Sequence, residues 1–143
     1  MTQRFRKYTL ALVWCGIVAY GLFEIITPNY KIRINDFKVI QSALETYKLD
    51  NGTYPISDGA QSLSPTWIPG LAPKYLSTVP VDPRKLIGVP SRQYLYLSDG
   101  REYKLISHAP EDFKFVSKSF PQLIDPKRNT YAYGIWTEGA QEW

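Results

Sequence analysis

The run YTLALVWCGIVAYGLFEIIT, Tyr8 to Thr27, limits this chain more than any other stretch, because it is apolar except for Glu24 and is followed at once by Pro28. A helix of about 20 residues rises about 30 Å, the thickness of a bilayer's hydrocarbon core. One membrane-spanning helix over residues 8–28 is therefore expected. A cleaved secretory signal is the rival reading, since Arg4, Arg6 and Lys7 form a basic start. The apolar stretch is longer than a signal needs, and no small-x-small site closes it. Residues 1–7 then form a basic cytoplasmic tail, and the denser positive cluster before the span places the rest outside the cytoplasm. Glu24 lies about one turn from the far end, where its carboxylate reaches the interface or meets a base on a neighbouring helix.

An anchor takes a fifth of the length, so the remainder has room for one small head, residues 29–143. Ile34, Phe37, Ile40 (or Ala43), Leu44 and Tyr47 recur at steps of three and four, with Arg33, Lys38, Gln41, Glu45 and Lys48 between them. This pattern predicts an amphipathic stalk helix over residues 30–51, with the bases and acids on its outer face. Asp50-Asn51-Gly52 closes it and Pro55 prevents its resumption. Ile56 to Pro90 is too rich in Pro, Gly and Ser for a long helix or a central strand. Within it, Leu63, Trp67, Ile68, Leu71, Tyr75 and Leu76 are expected to hold a loop against the core.

The clearest β signal is QYLYLSDGREYKLIS, Gln93 to Ser107, around Asp99-Gly100. That dipeptide suits a two-residue hairpin turn, which would pair Ser98 with Arg101, Tyr96 with Tyr103 and Tyr94 with Leu105. Tyr94, Tyr96, Tyr103 and Leu105 then share the face that covers the stalk helix. On the other face Leu95 and Leu97 lie beside Glu102 and Lys104, and the tail is expected to cover part of it. Tyr131 to Trp136 alternates as a further strand.

Composition excludes several function classes. The net charge of +4, from 17 bases and 13 acids, is spread too thinly for nucleic-acid binding. Cys15 is the only cysteine and His108 the only histidine, which rules out an internal disulfide, a thiolate metal cluster and a histidine pair. The carboxylate pairs Glu111/Asp112 and Asp125/Glu138 would have to serve a periplasmic enzyme as acid and base, and nothing in their spacing requires it. The expectation is a non-enzyme. An aromatic ladder such as Tyr131 to Trp136 is usually core or sheet packing, and it can also be a carbohydrate- or partner-binding face, for which Tyr131, Tyr133, Trp136 and Trp143 are the candidates.

Three blocks in order, ALETYKLDNGTYP (43–55), YLSTVPVDP (75–83) and YLYLSDGREYKLISHAPED (94–112), resemble the major pseudopilins of type II secretion systems, within the type IV pilin-like superfamily. The likeness covers roughly residues 8 to 112. It implies an α+β fold, a long N-terminal helix packed on a small antiparallel sheet, in a single-pass protein of the bacterial inner membrane with a periplasmic head. It also implies partners among pilin-like and secretion-system proteins and self-assembly through the N-terminal helices.

Members of that family lose a basic leader to a prepilin peptidase between Gly and Phe-Thr-Leu. Here KYTLAL is the matching stretch: Lys7 stands for the Gly and Tyr8 for the Phe, Thr9 and Leu10 agree, and Leu12 replaces the family's Glu. Gly21 matches a family glycine, and Pro28-Asn29 falls one residue short of the family's Pro-Asn. A Lys side chain blocks approach to the scissile bond, and Leu12 cannot pair with a neighbouring subunit's new amine. The resemblance also raises calcium, which the family binds in the loop after the hairpin. In this chain the oxygens available are few: Glu111, Asp112 and Asp125, with Ser98 and Asp99 as outlying candidates. The reading adopted is an unprocessed, membrane-anchored relative that acts through its head and needs no cofactor. The alternative is a processed subunit that polymerises.

Overall fold

The computed structural model describes residues 28–83 and 93–143. The expected membrane span, the basic tail and the peptidase-like stretch at Tyr8, Thr9, Leu10 and Leu12, with Glu24, lie outside them. Among the described residues no helix is long and apolar enough to cross a membrane.

The architecture is α+β. Helix α1, Asn29–Asn51, begins directly after Pro28, whose carbonyl accepts from the N–H of Lys31 at 2.9 Å. A proline there is compatible with a start, because the first-turn N–H groups have no helical acceptors. The helix ends at Gly52, which takes the left-handed conformation (φ 77°) and returns its N–H to the Lys48 carbonyl.

Four antiparallel strands in the order β1-β2-β3-β4 form one sheet: β1 Ser57–Gln61, β2 Gln93–Ser98, β3 Tyr103–His108 and β4 Ala132–Trp136. A short helix α2, Phe113–Ser119, and a 3-10 turn at Pro121–Leu123 fill the connection between β3 and β4. The core lies between α1 and the sheet. Phe37, Ile40, Ala43 and Leu44 from the helix meet Tyr94, Tyr96, Tyr103, Leu105 and Tyr133 from the strands. Trp67, Ile68, Leu71 and Val79 from the loop close its side. Leu63, expected with them, is instead 54% exposed, since its loop position points away from the helix.

The hairpin keeps the expected face and changes its register. Ser98 pairs with Tyr103, Tyr96 with Leu105 and Tyr94 with Ser107, so the connecting loop is Asp99 to Glu102. The Asp99 carboxylate accepts from the N–H groups of Arg101 and Glu102, each at 2.8 Å, and Ser98 Oγ donates to the Glu102 carbonyl at 2.8 Å. These side-chain bonds stabilise the wider loop over a two-residue turn. A slip of two residues leaves each side chain on its original face.

Strand β1 was not legible in its sequence, SDGAQ. It is an edge strand, bulged around Gly59 (φ 88°) and tied to β2 by Ser57 Oγ and the Tyr96 carbonyl at 3.2 Å. At the other edge Gly134 lies opposite Ile106, and a Cβ there would stand 2.1 Å from the Leu105 carbonyl oxygen and 2.6 Å from Ile106 Cα. Gly134→Ala should therefore push β4 off β3 and destabilise the head by about 3 kcal/mol, the upper end for overpacking. A thermal melt together with faster amide exchange confined to β4 checks this; an unchanged melt contradicts the close approach.

Candidate functional site

The residue that organises the base of the head is Arg33, which the periodicity placed on the outer face of the stalk. It is instead 1% exposed. Its position, one turn before Phe37, turns it toward the sheet, and three carboxylates from distant parts of the chain meet its guanidinium. Nε and Nη2 donate to both oxygens of Asp82, at 3.0 and 2.9 Å. Nη2 also donates to Glu111 at 2.9 Å, and Nη1 to Asp112 at 2.6 Å. The flat five-donor fork suits this task in a way that a lysine would not.

Further bonds extend the cluster. Ser107 Oγ donates to Asp82 at 3.0 Å, Tyr133 Oη to Asp112 at 2.9 Å and Asn29 Nδ2 to Glu111 at 2.6 Å. One turn along α1, the Tyr94 hydroxyl donates to Asp36 at 2.7 Å. One guanidinium cannot neutralise so many acids, and they divide accordingly. Burial raises Asp112 despite the nearby Arg33 charge and the Tyr133 bond, and burial likewise raises Asp36 against its Tyr94 bond. Burial also pushes Glu111 upward, but bonds from Arg33 and Asn29 outweigh it and hold this carboxyl at about 2.

The sign of the resulting pH dependence follows from that depression. Glu111 ordinarily titrates near 4.5, so its contribution to stability is fully present above that value and is lost as pH falls toward 2. We expect the stability advantage of the wild type over Glu111→Gln, about 2 kcal/mol at pH 6 given partial exposure, to vanish by pH 2. Denaturant titrations of both proteins across that range measure it. A gap independent of pH would contradict a charged Glu111.

A second buried cation, Lys104, lies on the outer face of the sheet at 3% exposure. Its ammonium donates to Asp125 at 2.8 Å and to the backbone oxygens of Gln141 and Trp143 at 2.8 and 3.0 Å. Arg128 binds the other Asp125 oxygen and the Trp143 oxygen, both at 2.9 Å. Burial tends to raise Asp125, but Lys104 and Arg128 hold it below its ordinary value. The C-terminal residues thus cover this face, as the half-apolar pattern of Leu95 and Leu97 anticipated.

The proposed metal oxygens do not converge. Ser98 and Asp99 are engaged within the hairpin loop, Glu111 and Asp112 on Arg33, and Asp125 on Lys104 and Arg128. Among the described residues no group of acids, histidine and cysteine is arranged to hold a metal ion. The donor set therefore does not fit calcium in this arrangement. Of the two carboxylate pairs weighed for catalysis, Glu111 and Asp112 share the Arg33 cluster, while Asp125 is buried and Glu138 is exposed on a separate 3-10 turn.

The aromatic face is also divided. Tyr133, a candidate for it, is fully buried, with its ring 6.1 Å from Phe37 and its hydroxyl on Asp112. Its side chain belongs to the core because β4 turns odd-numbered residues toward α1. Tyr131 is 42% exposed beside the His108 ring, 5.1 Å between centroids. Trp136, half-buried, lies on the opposite face from Tyr133 with the Lys104 ammonium 5.4 Å from its ring centre. Trp143 is half-buried against Leu95 and Leu97.

No protein-family model matches the chain, and no solved structure matches it. The type II secretion system core protein G of Escherichia coli strain K12 is similar to it, with 29% identity over 130 aligned residues that take in 77% of this chain and 85% of that protein.

Proposed function

We propose that this chain is a pseudopilin-like structural protein of a type II secretion or type IV pilus-like machinery, held in the bacterial inner membrane by residues 8–28 with its head in the periplasm. The single observation that carries this reading is the similarity to core protein G over 77% of the chain, joined to a fold in which a long helix, Asn29–Asn51, packs on a small antiparallel sheet. The head works by contact with other secretion-system or pilin-like proteins, without catalysis, metal or nucleic acid. Its N-terminus stays uncut, because Lys7 and Leu12 replace the two residues on which cleavage and subunit pairing depend in the resembling family. Of the aromatic candidates, Tyr131 is exposed and Trp136 and Trp143 are half-buried, which leaves all three with some surface for partner contact.

The N-terminal sequence and intact mass of protein taken from its native membranes test this. A chain starting at Met1 or Thr2 supports a permanent anchor. A chain starting at Tyr8 overturns that part and favours the processed, polymerising subunit. Complete release from the membranes by carbonate overturns the anchor itself.

A further inference from the structure

Helix α2 is short, and its sequence FKFVSKS contains two lysines and no acid. It packs against the first turn of α1. The Tyr30 ring lies 4.7 Å from Phe115 and 6.1 Å from Phe120, and Asn29 bonds Glu111 just ahead of α2. Tyr30 is two residues past Pro28, about 3 Å of helix rise, so these elements are the part of the head nearest the apolar run. Phe115 is nevertheless 48% exposed. Around it stand three exposed lysines: Lys114 beside it, Lys118 one turn along the same face, and Lys31 next to Tyr30. The acids of the neighbourhood are already occupied, since Glu111 and Asp112 hold Arg33 and Asp36 accepts from Tyr94.

We propose that α2 and the first turn of α1 form a foot that docks on the bilayer surface and recognises anionic phospholipid headgroups. This rests on the membrane-anchored reading above. Two features on the surface select that occupant. Aromatic rings with polar edges beside apolar rings, flanked by lysines, suit the headgroup level. The three lysines have no ion pair of their own among the described residues, while Glu111 and Asp112 beside them are turned onto Arg33, so the exposed edge of α2 favours an anionic leaflet, with each lysine near the surface strengthening the contact roughly fivefold. Docking would fix the tilt of the head on its anchor.

The full chain, reconstituted into vesicles, provides the test. Ser119 is exposed and one turn beyond Phe115, so an environment-sensitive fluorophore placed by Ser119→Cys, with Cys15→Ser, reports on the foot without altering it. In vesicles of phosphatidylglycerol and phosphatidylcholine the emission should shift to the blue and be quenched by brominated lipid. In phosphatidylcholine alone it should not. Replacing Lys31, Lys114 and Lys118 together by Gln should weaken docking about a hundredfold, with an unchanged melting temperature showing that the head remains folded.

A probe that stays water-exposed in both lipids, while the chain floats with the vesicles after carbonate, overturns the foot and leaves the anchor intact. A chain that does not float overturns the anchoring reading. A shift that depends on protein density and not on lipid charge identifies a contact between copies and overturns lipid recognition.

Discussion

Arg33→Met should lower the stability of the head by about 3 to 5 kcal/mol, because it leaves the buried Asp82 carboxylate and the part-buried Glu111 and Asp112 without their cation. The pair Arg33 and Asp82 has about 1% side-chain exposure on each side, so solvent provides little compensation for the charge left behind. For a head of this size the melting temperature should fall by more than about 10 °C. Arg33→Lys should recover only a minor part of the loss, since an ammonium cannot bind both oxygens of Asp82 and still reach the other two acids. Raising the acidity should partly rescue Arg33→Met, because protonation removes the uncompensated charges. Thermal melts of the three proteins at neutral and acid pH decide the matter. A Met variant that melts within about 1 kcal/mol of wild type would show that the cluster contributes little.

Lys104→Met should be the second large effect, at about 3 kcal/mol, and it should have a local signature. The substitution removes the donor shared by Asp125, Gln141 and Trp143, while Arg128 retains its hold on Asp125 and on Trp143. Residues after β4 should therefore loosen first. Their amides should exchange faster, and the fluorescence of Trp136 and Trp143 should shift, before the core opens. Uniform destabilisation with no such early change would mean that the ammonium stabilises the sheet and not the tail.

The features that could be read from the sequence are those repeated within a few residues. The stalk helix ends at Asn51 as expected, its cap at Gly52 follows from local chemistry, and the buried face of the hairpin follows from alternation. Register was not legible, because alternation is unchanged when strands slip by two and only the bonds made by Ser98 and Asp99 decide between the turns. Arg33 was misplaced for a related reason. A periodic pattern counts apolar residues, and the acids that justify burying this base lie 49, 78 and 79 positions away. Strand β1 exists through its pairing with β2, since Ser-Asp-Gly-Ala-Gln has no strand preference of its own. Whether Tyr133 belonged to the core or to a partner-binding face stayed open in the sequence, because Tyr131, Tyr133 and Trp136 read alike until the sheet assigns their sides. Lys104 carried a usable signal: it is the one lysine in a short strand whose other residues are mostly buried.

The polar bonds along α1 have a mechanical consequence. Arg33 fastens the start of the helix, Asp36 receives Tyr94 one turn later, and Glu45 receives the Tyr54 hydroxyl at 2.8 Å near its end. These fastenings span 12 residues, about 18 Å of helix. Apolar packing alone resists separation but offers little opposition to sliding or rolling, because one greasy contact replaces another at small cost. Directional bonds at both ends oppose shear and torque. A pull or twist delivered through the N-terminal segment would therefore turn the head as a rigid lever and would not drag the helix through its cradle.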